Sequence, residues 1–228
     1  MSRQTRSAWV KLNLLSLSVG LLLLTAQPVA AGFFTTGVVT TPADVQQGSG
    51  AGWLAEDTGS TTSTTIGSAT FAAENHFVAG YLQGTASPAL GDADLNDLLD
   101  DFRYGQPSAT LPTVMGATYN LQLLFFDPSY PTYQAGSRVM NITVGSDTLT
   151  AFDVIATSGG TNGAKVDYLF VASGNSVNVA LTPNVNSVDG NMFLSGFSLL
   201  AVPEPGTFSI FALSGIGLAL RCRRRQSR

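Results

Sequence analysis

The 228-residue chain contains a single histidine, His76, and a single cysteine, Cys222. A multi-histidine metal centre therefore cannot form, and a Ser-His-Asp triad would have to use His76. That residue lies between Asn75 and Phe77 in an expected strand, the setting of a histidine satisfied within the fold. Carboxylates are more plentiful. Fourteen of the fifteen lie in residues 32–202, so number alone leaves a glycosidase pair open, but no acid pair sits in a recognisable catalytic motif. Asp92-Ala93-Asp94-Leu95-Asn96-Asp97 imitates the opening of a calcium loop, with oxygens at positions one, three and five. Position six, which requires Gly, is Asp97, and position twelve, which requires a bidentate acid, is Arg103. An EF-hand is excluded, and the same acids read as the cap and solvated face of a short helix. Asn141-Ile142-Thr143 spells a glycosylation sequon but falls inside an expected strand. The residue types argue for a non-enzymatic role.

Charge is distributed unevenly. Of eleven basic residues, Arg3, Arg6 and Lys11 stand near the start and five arginines stand at 221–228. Only Arg103, Arg138 and Lys165 lie between, against fourteen acids, so residues 32–202 carry a formal charge of −11 while the whole chain carries −4. Such a field repels phosphate backbones and argues against a nucleic-acid partner.

Both ends read as addresses. A basic stretch over residues 2–11, an apolar run from Leu12 to Leu24 and the small side chains Val29-Ala30-Ala31 form a secretory signal peptide over residues 1–31, with cleavage expected after Ala31. At the other end, Pro203-Glu204-Pro205 precedes an apolar stretch from Thr207 to Leu220 and the basic cluster Arg221, Arg223, Arg224 and Arg225. Fourteen residues span about 21 Å as a helix, less than a bilayer core of about 30 Å. This is a marginal membrane anchor whose arginines stay on the cytoplasmic side. The order Pro-Glu-Pro, transmembrane-like helix, arginine cluster resembles the sorting tail of PEP-CTERM proteins, over residues 203–228. The resemblance implies processing by an exosortase, a membrane cysteine transpeptidase, transient attachment to the membrane, and delivery to the surface or exopolysaccharide matrix of a bacterium. With Cys222 in the tail, residues 32–202 hold no thiol. That segment must fold by its core, without disulfides, and some 170 residues suffice for one domain.

The elements of residues 32–202 are short alternating strands. Tyr119, Leu121, Leu123 and Phe125 share one face, and Asn120, Gln122, Leu124 and Phe126 the other. Val139–Val144 and Thr148–Ala156 flank the turn Gly145-Ser146-Asp147. Val166–Val171 and Ser176–Leu181 flank Ser173-Gly174-Asn175, with Val177, Val179 and Leu181 pointing one way. Phe33–Val39 and Thr64–Val78 supply earlier strands, and Phe193–Val202 the last. One helix is expected over Asp94–Tyr104, from Leu95, Leu98, Leu99 and Phe102 at spacing three and four, with Asp92 or Asp94 as cap. Eight or more antiparallel strands with one short helix predict an all-β, two-sheet jelly-roll sandwich.

Several segments in order, Gly52–Gly59, Leu98–Gly105, Leu123–Phe126, Gly136–Gly145, Phe152–Val154 and Gly159-Gly160, are similar to malectin and malectin-like domains. The resemblance runs over most of residues 33–202 and implies a galactose-binding-like β-sandwich that binds carbohydrate. Matching positions for a malectin-type site are Tyr104, then Tyr130 and Tyr133 in the loop Asp127–Tyr133, and Asp189 before the last strand. The physical requirement is consistent: a pyranose offers a C–H face to an aromatic ring and a hydroxyl edge to fixed acceptors and donors. Each tyrosine has packing, and Asp189 has turn capping, as its alternative role. The loop departs from malectin's by its prolines and by lacking an adjacent aromatic pair. Galactose-binding-like folds also often carry a structural calcium, which the acid-rich body permits without identifying ligands. The expectation is an exported carbohydrate-binding module, with stacking by Tyr130 and Tyr133 and hydroxyl capture by Asp189 and loop amides. The alternatives are a structural matrix protein without a sugar ligand, and a glycoside hydrolase.

Overall fold

Strand β8 (Thr118–Phe125) is buried along both faces, and the domain is built outward from it. The computed structural model describes residues 32–77, 81–84 and 88–203, with the side chains of 81–84 excepted. The expected signal peptide, the apolar tail, its arginines, and Glu204 and Pro205 lie outside these residues.

In chain order the strands are β1 (Phe33–Val39), β2 (Trp53–Asp57), β3 (Thr64–Ile66), β4 (Ala69–Ala73) and β5 (Tyr81–Gly84). Helix α1 (Ala93–Asp100) leads into β6 (Asp101–Gly105) and β7 (Ser108–Pro112), followed by β8. Then come β9 (Val139–Val144), β10 (Asp147–Asp153), helix α2 (Val154–Ser158), β11 (Gly163–Val171), β12 (Ser176–Pro183), β13 (Met192–Leu194) and β14 (Gly196–Val202). The larger sheet runs β1-β11-β8-β14-β2-β4-β3, the second β10-β9-β12-β7, and a third, smaller one β13-β6-β5. All pairs are antiparallel except β2 with β4. Fourteen strands among the described residues form the expected all-β sandwich.

Alternation explains the layers. Tyr119, Leu121, Leu123 and Phe125 of β8, with Val166 and Phe170 of β11 and Phe197 and Leu199 of β14, face Met140, Ile142 and Val144 of β9 and Val179 and Leu181 of β12. Leu124 and Phe126 point to the opposite side, where Leu95, Leu98 and Leu99 of α1 cover them together with Phe71 and Ile66. Gln122 on that side is satisfied inside: its Nε2 donates to Asp167 Oδ1 at 2.8 Å and its Oε1 accepts from Gln46 N at 2.7 Å.

The register also fixes where the chain enters and leaves. Phe33 is opposite Leu169, Leu169 opposite Asn120, and Asn120 opposite Leu200. The start of β1 and the end of β14 therefore emerge at one end of the sheet, and the loop after Phe125 lies at the other.

Four expected elements are corrected. The helix stops at Asp100 rather than Tyr104: Leu95, Leu98 and Leu99 complete its buried face, and Phe102 instead joins β6, paired with β5 and β13. Gly59, with φ of 102°, lies so close to the Phe102 backbone that a Cβ there would come within 2.6 Å. The expected strand Thr64–Val78 folds back at Gly67 (φ 60°) into β3 and β4. Thr148–Ala156 ends at Asp153, whose side chain accepts from Ala156 N at 3.0 Å and caps α2. Phe193–Val202 breaks at Ser195, whose N–H leaves the β13 pairing and donates to Leu124 O at 2.9 Å. Asp92 is the cap of α1, accepting from Leu95 N at 2.9 Å.

Candidate functional site

Arg138 stands immediately before β9, is only 5% exposed, and organises the end of the sandwich where loop 126–138 lies. A buried guanidinium must have its charge and donors answered. Its Nε and Nη2 reach Asp189 Oδ2 at 2.8 and 2.7 Å, and its Nη1 donates to Asp127 Oδ1 at 2.9 Å and Ser129 Oγ at 2.8 Å. The guanidinium carbon also lies 4.6 Å from the ring centroid of Tyr133, 5.5 Å from that of Phe193 and 5.6 Å from that of Tyr104, within cation–π range. Tyr104 closes the arrangement by donating its hydroxyl to Asp189 Oδ2 at 3.3 Å.

Three of the four expected site residues, Tyr104, Tyr133 and Asp189, thus converge on one cation. Tyr104 comes from β6, Tyr133 from the loop after β8, and Asp189 from the loop after β12. Asp189 Oδ1 accepts from the N–H and Nδ2 of Asn191 at 2.9 and 3.0 Å. Burial acts to raise the Asp189 pKa, but the Asn191 amide and Arg138 more than offset it and hold the carboxyl below its ordinary range. Tyr130 stands apart. Its ring lies against Gly160, where a Cβ would fall 2.4 Å away, and it remains 36% exposed. The loop is pinned from both sides: Ser129 N donates to Asp127 Oδ1 at 2.9 Å, and Gly136 N to Asp153 Oδ2, the α2 cap, at 2.5 Å. Arg138 was visible in the sequence as one of three basic residues in a strongly acidic body, each of which must find a carboxylate, but nothing in the sequence said which one.

A second polar cluster lies beneath β2. Glu56, buried, accepts from the N–H groups of Asn75 and His76 at 3.0 and 2.9 Å, and its other oxygen pairs with His76 Nδ1. His76 is therefore held in the structure, with its ring edge-on to Phe197. Glu74 pairs with Arg103 Nε and accepts from Gly59 N at 2.9 Å. Asp57 is 1% exposed, and its Oδ2 lies 2.7 Å from Thr64 Oγ, which is also 2.8 Å from Asp97 Oδ2. The single Thr64 hydroxyl proton is thus set between two carboxylates. Burial, reinforced by Asp101, Asp97 and Asp100, pushes the Asp57 carboxyl up to about 8. No cluster of three or more His, Cys, Asp or Glu side chains suited to a metal ion occurs among the described residues. Likewise, no helix among them is long and apolar enough to cross a membrane.

With this geometry established, comparison with known proteins is informative. Residues 201–225 match the PEP-CTERM protein-sorting motif, a signal of exported proteins processed by an exosortase. No curated protein matches the chain. Among solved structures, plant receptor-like kinase FER aligns at 18% identity and TM-score 0.57, over 67% of this chain and 50% of that one. The ANX1 ectodomain from Arabidopsis thaliana aligns at 14% identity and TM-score 0.55, over 76% and 55%. A chain from the complex of plant peptide RALF23 with FER and LLG2 aligns at 17% identity and TM-score 0.56, over 67% and 49%. The likeness is one of fold, the malectin-like β-sandwich, and the chain spans about half the length of these structures.

Two outcomes are expected. Arg138→Met leaves Asp127 and Asp189 buried without their cation and lowers unfolding free energy by about 3–5 kcal/mol, read from urea denaturation. For Asp57 the folded-state pKa lies above the ordinary 3.8, so its contribution is complete below that value and is lost as pH climbs through about 8. Asp57→Asn, a neutral isostere whose Oδ1 can still accept from Thr64, should flatten the fall in urea midpoint between pH 5 and pH 9.

Proposed function

We propose that the protein is an exported, non-enzymatic carbohydrate-binding module that acts at the bacterial surface or within its exopolysaccharide. The supporting observation is the convergence of Tyr104, Tyr133 and Asp189 on buried Arg138, with the half-exposed ring of Tyr130 carried by the same loop as Tyr133. Tyr130 and Tyr133 supply apolar faces for the C–H side of a sugar ring. Asp189 fixes Arg138 and Tyr104 in place. Five protein hydrogen bonds already fall on its two oxygens, so hydroxyl capture passes to the loop amides and the tyrosine hydroxyls. The malectin-like fold supports a ligand-binding role without specifying the ligand.

Exosortase processing of the tail, with transient membrane attachment through the apolar stretch Thr207–Leu220, completes the reading. Residues Pro203, Glu204 and Pro205 serve as the recognition motif and Arg221, Arg223, Arg224 and Arg225 as the stop.

A glycan array probed with the exported protein should show a defined sugar above background, and Tyr130→Ala with Tyr133→Ala should abolish that signal in a protein that still unfolds cooperatively in urea, at a midpoint lowered by the lost Tyr133–Arg138 contact. Absence of any bound glycan would favour a purely structural matrix role. Turnover of a glycoside, lost on replacing one carboxylate, would favour a hydrolase. Mass spectrometry of the surface form should find a C-terminus lacking Cys222 and the arginines. An intact Arg228 would refute processing.

A further inference from the structure

The backbone N–H of Gly32 donates to Asp147 Oδ2 at 3.0 Å, and the Tyr168 hydroxyl donates to the same oxygen at 2.5 Å. Asp147 lies at the start of β10 and Tyr168 within β11, so this contact joins the first described residue to both sheets. Space at the contact admits only glycine. A Cβ on residue 32 would fall 1.9 Å from the Tyr168 hydroxyl oxygen and 2.1 Å from its ring carbon, and Phe34 holds that ring from the other side at a centroid separation of 4.1 Å. Gly32 sits at the mouth of a groove of about 480 Å³ whose lining contains one charged residue, Asp147. The expected signal-peptide cleavage bond is the one that ends at this nitrogen.

We propose that the Ala31–Gly32 bond is the processing site and that the α-ammonium released at Gly32 forms an ion pair with Asp147, locking the mature N-terminus across the sandwich. The reaction is hydrolysis by an exported-side membrane endopeptidase. Water adds its hydroxyl to the Ala31 carbonyl carbon as the C–N bond breaks, and its proton goes to the Gly32 nitrogen, which takes a second from solvent near neutral pH. Before cleavage Asp147 faces a neutral amide with one donor, and afterwards a cation with three. Each internal cation of the domain follows the same rule: Arg103 is paired with Glu74, Arg138 with Asp127 and Asp189, and Lys165 reaches Asp167 at 3.9 Å and the Asp44 carbonyl at 2.7 Å. The new ammonium becomes the fourth. Cleavage one bond earlier would put the charge on the preceding residue, about 3.8 Å of chain away from the Gly32 nitrogen.

The sign of the pH dependence follows. Pairing raises the folded-state pKa of the ammonium, so its stabilisation is complete below its ordinary value of about 8 and is lost as pH rises through the raised value. The carboxylate, lowered chiefly by the Tyr168 hydrogen bond, contributes above its ordinary range and fades as pH falls through its depressed value. Tyr168 is raised by burial first and by Asp147 second, and stays neutral throughout.

The inference rests on the export reading and not on any sugar ligand: an empty glycan array leaves it intact, whereas an unprocessed N-terminus removes both it and export. The full chain, exported with its own leader from a bacterial host, is analysed for its N-terminal residue by mass spectrometry. The pH profile of α-amine acetylation by acetic anhydride is measured on the same material. The expected result is Gly32 at the N-terminus, with an acetylation midpoint about one unit above the ordinary value that returns to it in Asp147→Asn. A second variant with one alanine inserted between Ala31 and Gly32 keeps Asp147 and displaces the ammonium, and it should show the same return. A start other than Gly32, or a midpoint equal in wild type and both variants, overturns the proposal.

Discussion

Everything in this domain depends on burying one strand, β8, on both faces. A strand covered on one side holds two layers together, and a strand covered on both holds three. Leu121, Leu123 and Phe125 bind the second sheet to the first, while Leu124 and Phe126 seat α1 and the β3–β4 hairpin on the far side. With no cysteine between residues 32 and 202, no crosslink can replace that burial. Gln122, alone among polar groups on the helix-facing side of the strand's centre, is admitted because Gln46, Asp44 and Asp167 answer its amide.

The second constraint is electrostatic. A body with fourteen acids and three bases cannot pair its carboxylates one to one. Two of the three cations sit on largely buried carboxylates, Arg103 on Glu74 and Arg138 on Asp127 and Asp189, and Arg138 alone fixes segments arriving from β6, β8 and β12. Where no cation is available, burial instead raises the carboxyl, as at Asp57. Several of the remaining acids lie at helix caps and turns, where they accept from backbone N–H groups, as Asp44, Asp92 and Asp153 show.

Much of this architecture was legible in the sequence. The alternation in Tyr119–Phe126 announced the central strand, Gly145-Ser146-Asp147 announced the β9–β10 hairpin, and Asp92 or Asp94 was expected to cap α1, of which the structure takes Asp92. The limits of α1 were not legible, because Phe102 continues the helical spacing and only its pairing with β5, with Gly59 closely packed on its backbone, assigns it to β6. Helix α2 was hidden by Val154 and Ile155, whose branched side chains favour strands, while its cap Asp153 lacks a flanking apolar period long enough to signal a helix. For the candidate site, the resemblance named Tyr104, Tyr133 and Asp189, which the fold brings together. Arg138, the group they surround, depends on pairings across 11 and 51 residues of chain, and spacing alone cannot specify contacts at that range.

The shared exit of β1 and β14 has a geometric consequence. Across the neighbouring strands β1-β11-β8-β14 three gaps of about 4.8 Å separate the two departure points by only about 14 Å, so the chain on either side of the domain leaves from nearly one place. The Arg138 cluster, beyond the end of β8, occupies the opposite end of the sandwich, so what enters and leaves the domain does not cross it.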